Sequence, residues 1–131
     1  MAIVTRLLAS ASRVTTSERV RVSKLVHWRL KRAIDYVEAR LDKTVTLADF
    51  AASAGLTRMH FAAQFRAATG LRPHEYLLRR RIERAEEMLV GTDMSLVDIA
   101  IALGFQTQAH FTTVFKRYTG QPPRVWRESH V

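Results

Sequence analysis

The tightest constraint on this chain is an internal repeat. The stretch TLADFAASAGLT, beginning at Thr46, returns as SLVDIAIALGFQ, beginning at Ser95, at an offset of 49 residues. Thr46 pairs with Ser95, Leu47 with Leu96, Asp49 with Asp98, Ala51 with Ala100 and Gly55 with Gly104. A residue inserted just after the second glycine moves the offset to 50. The match then continues through Phe61 and Phe111, Phe65 and Phe115, Thr69-Gly70 and Thr119-Gly120, Pro73 and Pro123, and Tyr76 and Trp126. In 131 residues, a duplication of this length leaves space for one domain, or for two very small units packed together.

Each copy has the grammar of two short helices joined by a tight turn. Thr46 and Ser95 are N-cap residues, and Asp49 and Asp98 stand at the third helical position, where a carboxylate favours the helix dipole and can close a capping box. Small residues (Ala51, Ala52 and Ala54; Ala100 and Ala102) keep the first helix slim, so that a second can cross it closely. Gly55 and Gly104 fall where the chain leaves that helix, a place that commonly demands a left-handed backbone. Leu56 and Phe105 plug the turn, and Thr57 and Thr107 can cap the following helix. The i, i+4 pairs Phe61/Phe65 and Phe111/Phe115 face inward on that helix, as core rather than as stacking platforms for bases.

Three further helices frame the copies. Ser23 can cap an amphipathic helix with Leu25, Val26, Leu30, Ile34, Val37 and Leu41 on one side, ending near Leu41 or Asp42. A long helix starts near Pro73, carries Tyr76, Leu77, Ile82, Ala85, Met88 and Leu89 as its buried stripe, and ends at Gly91. A closing helix follows Pro122-Pro123. Trp28 and Trp126 are expected in the core. The expectation is therefore an all-α fold of about seven helices. Residues 1–22 form a basic arm or short helix, and 23–131 hold two tandem helix-turn-helix subdomains (about 46–67 and 95–118) joined by a linker helix (about 73–90).

Charge and cysteine narrow the function classes. Lys and Arg outnumber Asp and Glu by 21 to 12, a net charge of +9 that favours polyanionic partners. The absence of Cys removes disulfides, thiolate zinc sites and thiol nucleophiles, which fits a reducing cytoplasm. No apolar run approaches the roughly 20 residues that span a bilayer, so no membrane role is expected. The leader, with Arg6, Arg13, Arg19 and Arg21, resembles a targeting presequence in composition. Its apolar run, Leu7 to Ala9, is too short for a secretory core, which favours a surface arm.

In a helix-turn-helix the second helix enters the major groove, whose base edges present distinct donors, acceptors and methyls. The outward positions are Arg58, Met59, Ala62, Ala63 and Arg66 in the first copy, and Gln108, Ala109, His110, Thr112, Thr113, Lys116 and Arg117 in the second. Arg58 and Gln108 suit bidentate contacts with guanine and adenine, while Ala, Met and Thr methyls suit thymine. The first face is chemically thin. Lys116, Arg117, Arg124, Arg66 and the cluster Arg79, Arg80, Arg81 and Arg84 are candidates for phosphate contacts, although Glu83, Glu86 and Glu87 are interleaved with that cluster, and a linker helix needs a polar face in any case.

With these residues in place, the chain resembles the AraC/XylS family of bacterial transcription regulators over about residues 24–128, most specifically in DIAIALGFQTQAHFTTVFKRYTGQPPRVWR. The resemblance implies a seven-helix fold with two subdomains whose second helices enter successive major grooves on one DNA face. By position, the family's base-contacting places fall on Met59, Ala62 and Ala63, and on Gln108, Ala109, His110, Thr112 and Thr113. Arg58 joins them from the reading of the residues, and Thr57, Arg66, Arg79, Thr107, Lys116, Arg117 and Arg124 form the phosphate set. Stand-alone members use larger polar residues at several of the base-contacting places. The implied partners are double-stranded DNA, bound by a monomer, and RNA polymerase. The implied outcome is activation, in the cytoplasm at the nucleoid.

Only about 23 residues precede the first helix, too few for the ligand-binding or dimerisation domain that many members carry. Met1 and an end soon after the last helix favour a stand-alone regulator over the DNA-binding part of a larger protein. An enzyme is the first rival, since related domains occur in DNA-repair methyltransferases. Those need a cysteine acceptor, and no paired carboxylates, phosphate loop or metal-spaced histidines are present here. No catalytic residue, metal or cofactor is expected. His60 and His110, at equivalent places, have simpler roles at a packed or DNA-facing edge. A non-specific architectural DNA binder is the second rival, since its charge would look the same.

Overall fold

The computed structural model describes residues 16–130, with side chains from residue 27 onward. Among the described residues are seven helices and no strand: α1 (Thr16–Glu38), α2 (Leu47–Ser53), α3 (Arg58–Thr69), α4 (Pro73–Gly91), α5 (Leu96–Ala102), α6 (Gln108–Thr119) and α7 (Pro123–His130). The fold is all-α. It divides into two compact units. The first takes in α1, α2, α3 and α4 as far as Tyr76, and the second takes in α4 from Leu77, α5, α6 and α7, together with residues 40–44.

The repeat becomes structure first at the caps. Thr46 Oγ1 accepts from the Asp49 N–H at 3.1 Å and Asp49 returns the favour to the Thr46 N–H at 3.3 Å, completing a capping box. Ser95 accepts from the Asp98 N–H at 3.2 Å. Thr57 and Thr107 start α3 and α6 by accepting from the His60 and His110 N–H groups at 3.3 and 3.0 Å. At the far end of these helices the Thr-Gly pairs do matching work. The Thr69 and Thr119 hydroxyls donate to the Phe65 and Phe115 carbonyls, at 2.8 and 2.9 Å, and accept from the Leu71 and Gln121 N–H groups. The chain is thereby turned toward Pro73 and Pro123, the first residues of α4 and α7.

All four repeat phenylalanines are buried, at 3% exposure or less. Around them the two units solve one packing problem differently. In the first, Phe50 of α2 supplies a third ring, 4.8 Å from Phe61 and 5.5 Å from Phe65, and Tyr76 closes the stack 5.5 Å from Phe65. In the second, Ile99 stands in Phe50's place, and the extra ring comes from the turn, where Phe105 lies 5.3 Å from Phe111; Trp126 closes that stack 5.8 Å from Phe115. Phe105 is buried, whereas its counterpart Leu56 is half-buried.

The duplication also runs further back than the motif. Arg29-Leu30 and Arg32-Ala33 of α1 match Arg81-Ile82 and Arg84-Ala85 of α4 at an offset of 52. The match is functional in packing terms. Arg29 Nη1 donates to the Ala54 and Gly55 carbonyls at 2.5 and 3.3 Å, against a glycine with φ +71°. Arg81 donates through Nε to the Leu41 carbonyl at 3.0 Å and through Nη2 to the Lys43 carbonyl at 2.6 Å, and lies against Gly104, whose φ is +78°. In each unit a guanidinium from the preceding helix thus rests on the turn glycine.

Several expectations need correction. Helix α1 starts at Thr16 and runs through Ser23, which a helix interior tolerates. It ends at Glu38 rather than near Leu41 or Asp42, because residues 40–44 leave it to pack in the second unit, where Leu41 is buried and Arg81 takes two carbonyls. Leu41 keeps the apolar period without being helical. Trp28 is 49% exposed, not core: it stands two residues from Leu30, about 200° around the helix, with Arg29 and Arg32 over its ring at 5.2 and 5.1 Å. Met88 is half-buried. The expected arm falls mostly at 1–15, outside the described residues, and the side chains of Leu25 and Val26 lie outside them too.

A pair of glycine variants separates backbone from contact effects. Gly120 has φ +84° and open space around a would-be Cβ, so Gly120→Ala should cost about 1–2 kcal/mol from conformation. At Gly104 a Cβ would also meet Arg81 Nη2 at 2.8 Å and the Leu41 carbonyl oxygen at 3.0 Å, so Gly104→Ala should cost clearly more. Urea unfolding midpoints should rank wild type, Gly120→Ala, Gly104→Ala; equal losses would mean that Arg81 and the Leu41 carbonyl both give way at no cost.

Candidate nucleic-acid interface

Within each unit, the cap, turn and aromatic stack leave one face of the second helix outward. On α3, Arg58, Met59, Ala63 and Arg66 are exposed and Ala62 is half-buried beside the inward rings. On α6, Gln108, Ala109, His110, Thr113, Lys116 and Arg117 are exposed and Thr112 is half-buried. Met59 is 81% exposed. Neither α3 nor α6 contains an acid, and among the described residues Arg58, Arg66, Lys116 and Arg117 form no ion pair. Both outward faces are therefore cationic without local neutralisation, the condition for attracting a polyanion.

Polar groups on these faces differ in how far they are committed. Thr113 Oγ1 donates to the Ala109 carbonyl at 3.0 Å, which turns its hydroxyl toward the helix. Thr57 Oγ1 lies 3.1 Å from His60 Nδ1 as well as capping α3, while Thr107 caps α6 and its neighbour His110 instead lies edge-on to Phe105, with centroids 5.4 Å apart. Arg124 is exposed and 3.5 Å from Glu128. Arg79 is exposed, with its guanidinium 5.5 Å above the Tyr118 ring.

Two of the remaining arginines of the α4 cluster are buried and are corrected. Arg80 is 8% exposed and donates to Glu83 at 2.8 Å, Arg81 is 7% exposed and serves the Leu41 and Lys43 carbonyls, and Arg84 lies 3.4 Å from Glu87. Burial lowers the Arg81 pKa, opposed by Asp42. Arg80 and Arg81 are structural cations, whereas 43% of the Arg84 side chain is exposed. Sequence reading also missed Arg127, which donates to the carbonyls of Leu89, Met94 and Thr92 at 3.0, 2.8 and 3.0 Å and so ties α7 to the loop that leads into α5. No local signal marks such residues, since their partners lie more than 30 positions away. Glu86, beside Trp126 and Tyr118 in a hollow of the second unit, has its pKa raised by burial and then by Glu83; His130 opposes the shift and Glu87 adds to it. Among the described residues no three potential metal ligands gather, and no helix is long and apolar enough to cross a membrane.

A family model described as a helix-turn-helix domain matches residues 50–129. A crystal structure of an AraC-type DNA-binding-domain regulator from Chromobacterium violaceum superposes with TM-score 0.74 at 28% identity, covering 79% of this chain and 92% of that one. The chain belongs to the AraC family of helix-turn-helix transcription regulators. The HTH-type transcriptional activator AarP of Providencia stuartii is 35% identical over 94 residues, 72% of this chain and 70% of AarP. The DNA-binding domain of AdpA, a global transcriptional factor solved in complex with a target DNA, aligns with TM-score 0.72 at 25% identity over 78% of this chain and 91% of its own. Two other curated relatives are matched over 36% and 13% of their length, so the chain spans a minor part of those proteins. The AraC-type fold and membership of a family of DNA-binding transcription regulators are thus established for this chain.

Two outcomes follow for the cations and acids of α4. Arg81→Ala leaves two carbonyls without their charged donor and should cost about 2–4 kcal/mol, whereas Arg79→Ala should stay within about 0.5 kcal/mol. Urea titration of both variants decides, and equal stability would remove Arg81 from the framework. For Glu86, the folded state holds its proton more tightly than the unfolded chain does. Its contribution to stability is therefore present at low pH and falls as pH rises from the ordinary carboxylate range through the raised folded value. Glu86→Gln should gain on wild type between pH 4 and 7 in thermal midpoint; a pH-independent difference would exclude that linkage.

Proposed function

We propose that the chain is a sequence-specific transcription regulator, an activator, which binds double-stranded DNA as a monomer and sets α3 and α6 in successive major grooves. The observation that carries this reading is the duplicated cap and turn, which leaves an acid-free cationic face outward on both α3 and α6. Arg58, Met59, Ala62 and Ala63 meet bases in one groove segment, and Gln108, Ala109, His110, Thr112 and Thr113 in the other. Thr57, Arg66, Arg79, Thr107, Lys116, Arg117 and Arg124 hold phosphates, which fix register and supply salt dependence rather than sequence information. The relative AarP is named as an activator, and RNA polymerase is the partner such a role requires. The work is done in the cytoplasm, at the nucleoid.

Selection from a random duplex pool tests the reading. The winning duplex should bind about 10³-fold or more above random DNA, and footprinting should protect two groove segments roughly 34 Å apart, within on the order of 20 base pairs. A ratio near unity would make the chain an architectural binder, and protection of a single segment would refute the two-helix mode. On the selected duplex, Gln108→Ala and Thr113→Ala should relax base preference. Lys116→Ala and Arg117→Ala should weaken every duplex alike and each reduce the salt slope by about one. Uniform loss across sequences for all four would contradict the division of roles.

A further inference from the structure

We propose that the first unit reads its half of the DNA site through thymine methyl groups, with Met59 as the principal reader; this rests on the sequence-specific reading above. Met59, Ala62, Ala63 and Arg66 fall at i, i+3, i+4 and i+7, a single stripe along α3. Met59 is 81% exposed, Ala63 is exposed and Ala62 half-buried, so the stripe offers hydrocarbon and a thioether with no hydrogen-bonding side chain before Arg66. The exposed amide of Gln64 lies to the side, where it lines a hollow with Arg29 and Leu30. His60 is held against Thr57. On α6 the matching stripe is Ala109, Thr112, Thr113 and Lys116, beside Gln108 in the place of Arg58.

An exposed methionine of this kind, rimmed by the cations Arg58 and Arg66, is complementary to an apolar group set in an anionic surface. The major groove contains one such group, the C5-methyl of thymine. Base-edge donors and acceptors of either pair find no partner between Met59 and Ala63, so the thymine methyl is the one group there that gains a contact in return for lost hydration. The flexible, polarisable methionine adapts to a methyl at small cost in geometry. The half-site of the first unit is accordingly rich in A·T pairs oriented with thymine toward α3, and Arg58 is left for a guanine at its edge.

The test uses the full chain and its selected duplex, with each thymine in turn replaced by deoxyuridine, which keeps base pairing and removes only the methyl. One or two positions within one half should lose roughly fourfold in affinity each. Those losses should vanish in Met59→Ala, a variant whose unfolding midpoint should match wild type because the side chain is exposed, and should persist in Gln108→Ala. Absence of any uracil-sensitive position, or sensitivity unchanged by Met59→Ala, overturns methyl reading while leaving specific binding intact. A pool that yields no preferred duplex instead overturns the reading on which this one stands.

Discussion

The contact on which the rest of each unit depends is a guanidinium laid against the glycine of a turn. Arg29 at Gly55 and Arg81 at Gly104 make the same arrangement: a charged, planar group from the preceding helix fills the space a Cβ would need, and donates to main-chain carbonyls. A buried cation is costly unless its donors are matched, and here carbonyl groups at the ends of short segments supply the match. The first turn is therefore fixed by backbone conformation and by the hydrogen bonds from Arg29. The second is fixed by backbone conformation and by the packing of Arg81, which its bonds to Leu41 and Lys43 hold in place. What the outward helix presents follows from that angle.

The long helix α4 serves this scheme twice. Its first turns, from Pro73 to Tyr76, close the stack of the first unit, as Pro123 to Trp126 close the stack of the second. Its body then supplies Arg81, Ile82 and Ala85 to the second unit, as α1 supplies Arg29, Leu30 and Ala33 to the first. Between the copies the third aromatic ring has moved, from Phe50 in a helix to Phe105 in a turn. The volume to be filled is conserved by physics rather than by position, because a dense interior penalises a void wherever the ring was lost.

Much of this was legible in the residues themselves, for reasons that are local. Caps need a hydroxyl three residues before a free N–H, the turn glycines need a left-handed backbone, and an i, i+4 pair of phenylalanines can only share one side of a helix. All of these are short-range statements, and Thr57, Gly104 and Phe111 answer to them. The outward residues of α3 and α6 were legible for the same reason, as what remains once the inward side is assigned. Arg81 and Arg127 were not, since a cluster of basic residues on a helix looks alike whether it faces water or reaches carbonyls across the fold. Trp28 misleads because a sequence reading sets it on the apolar side of its helix, whereas it lies about 200° around from Leu30 and stands outside.

On the proposed function, the absence of carboxylates from α3 and α6 has a kinetic side. Attraction between a cationic rim and a polyphosphate has no preference for letters, so a DNA-binding surface of this kind stays associated with whichever double helix it first meets and travels along it. Time is saved in searching, because a three-dimensional hunt becomes partly a linear one. The cost is residence at irrelevant loci, which a face holding Asp or Glu would have shortened.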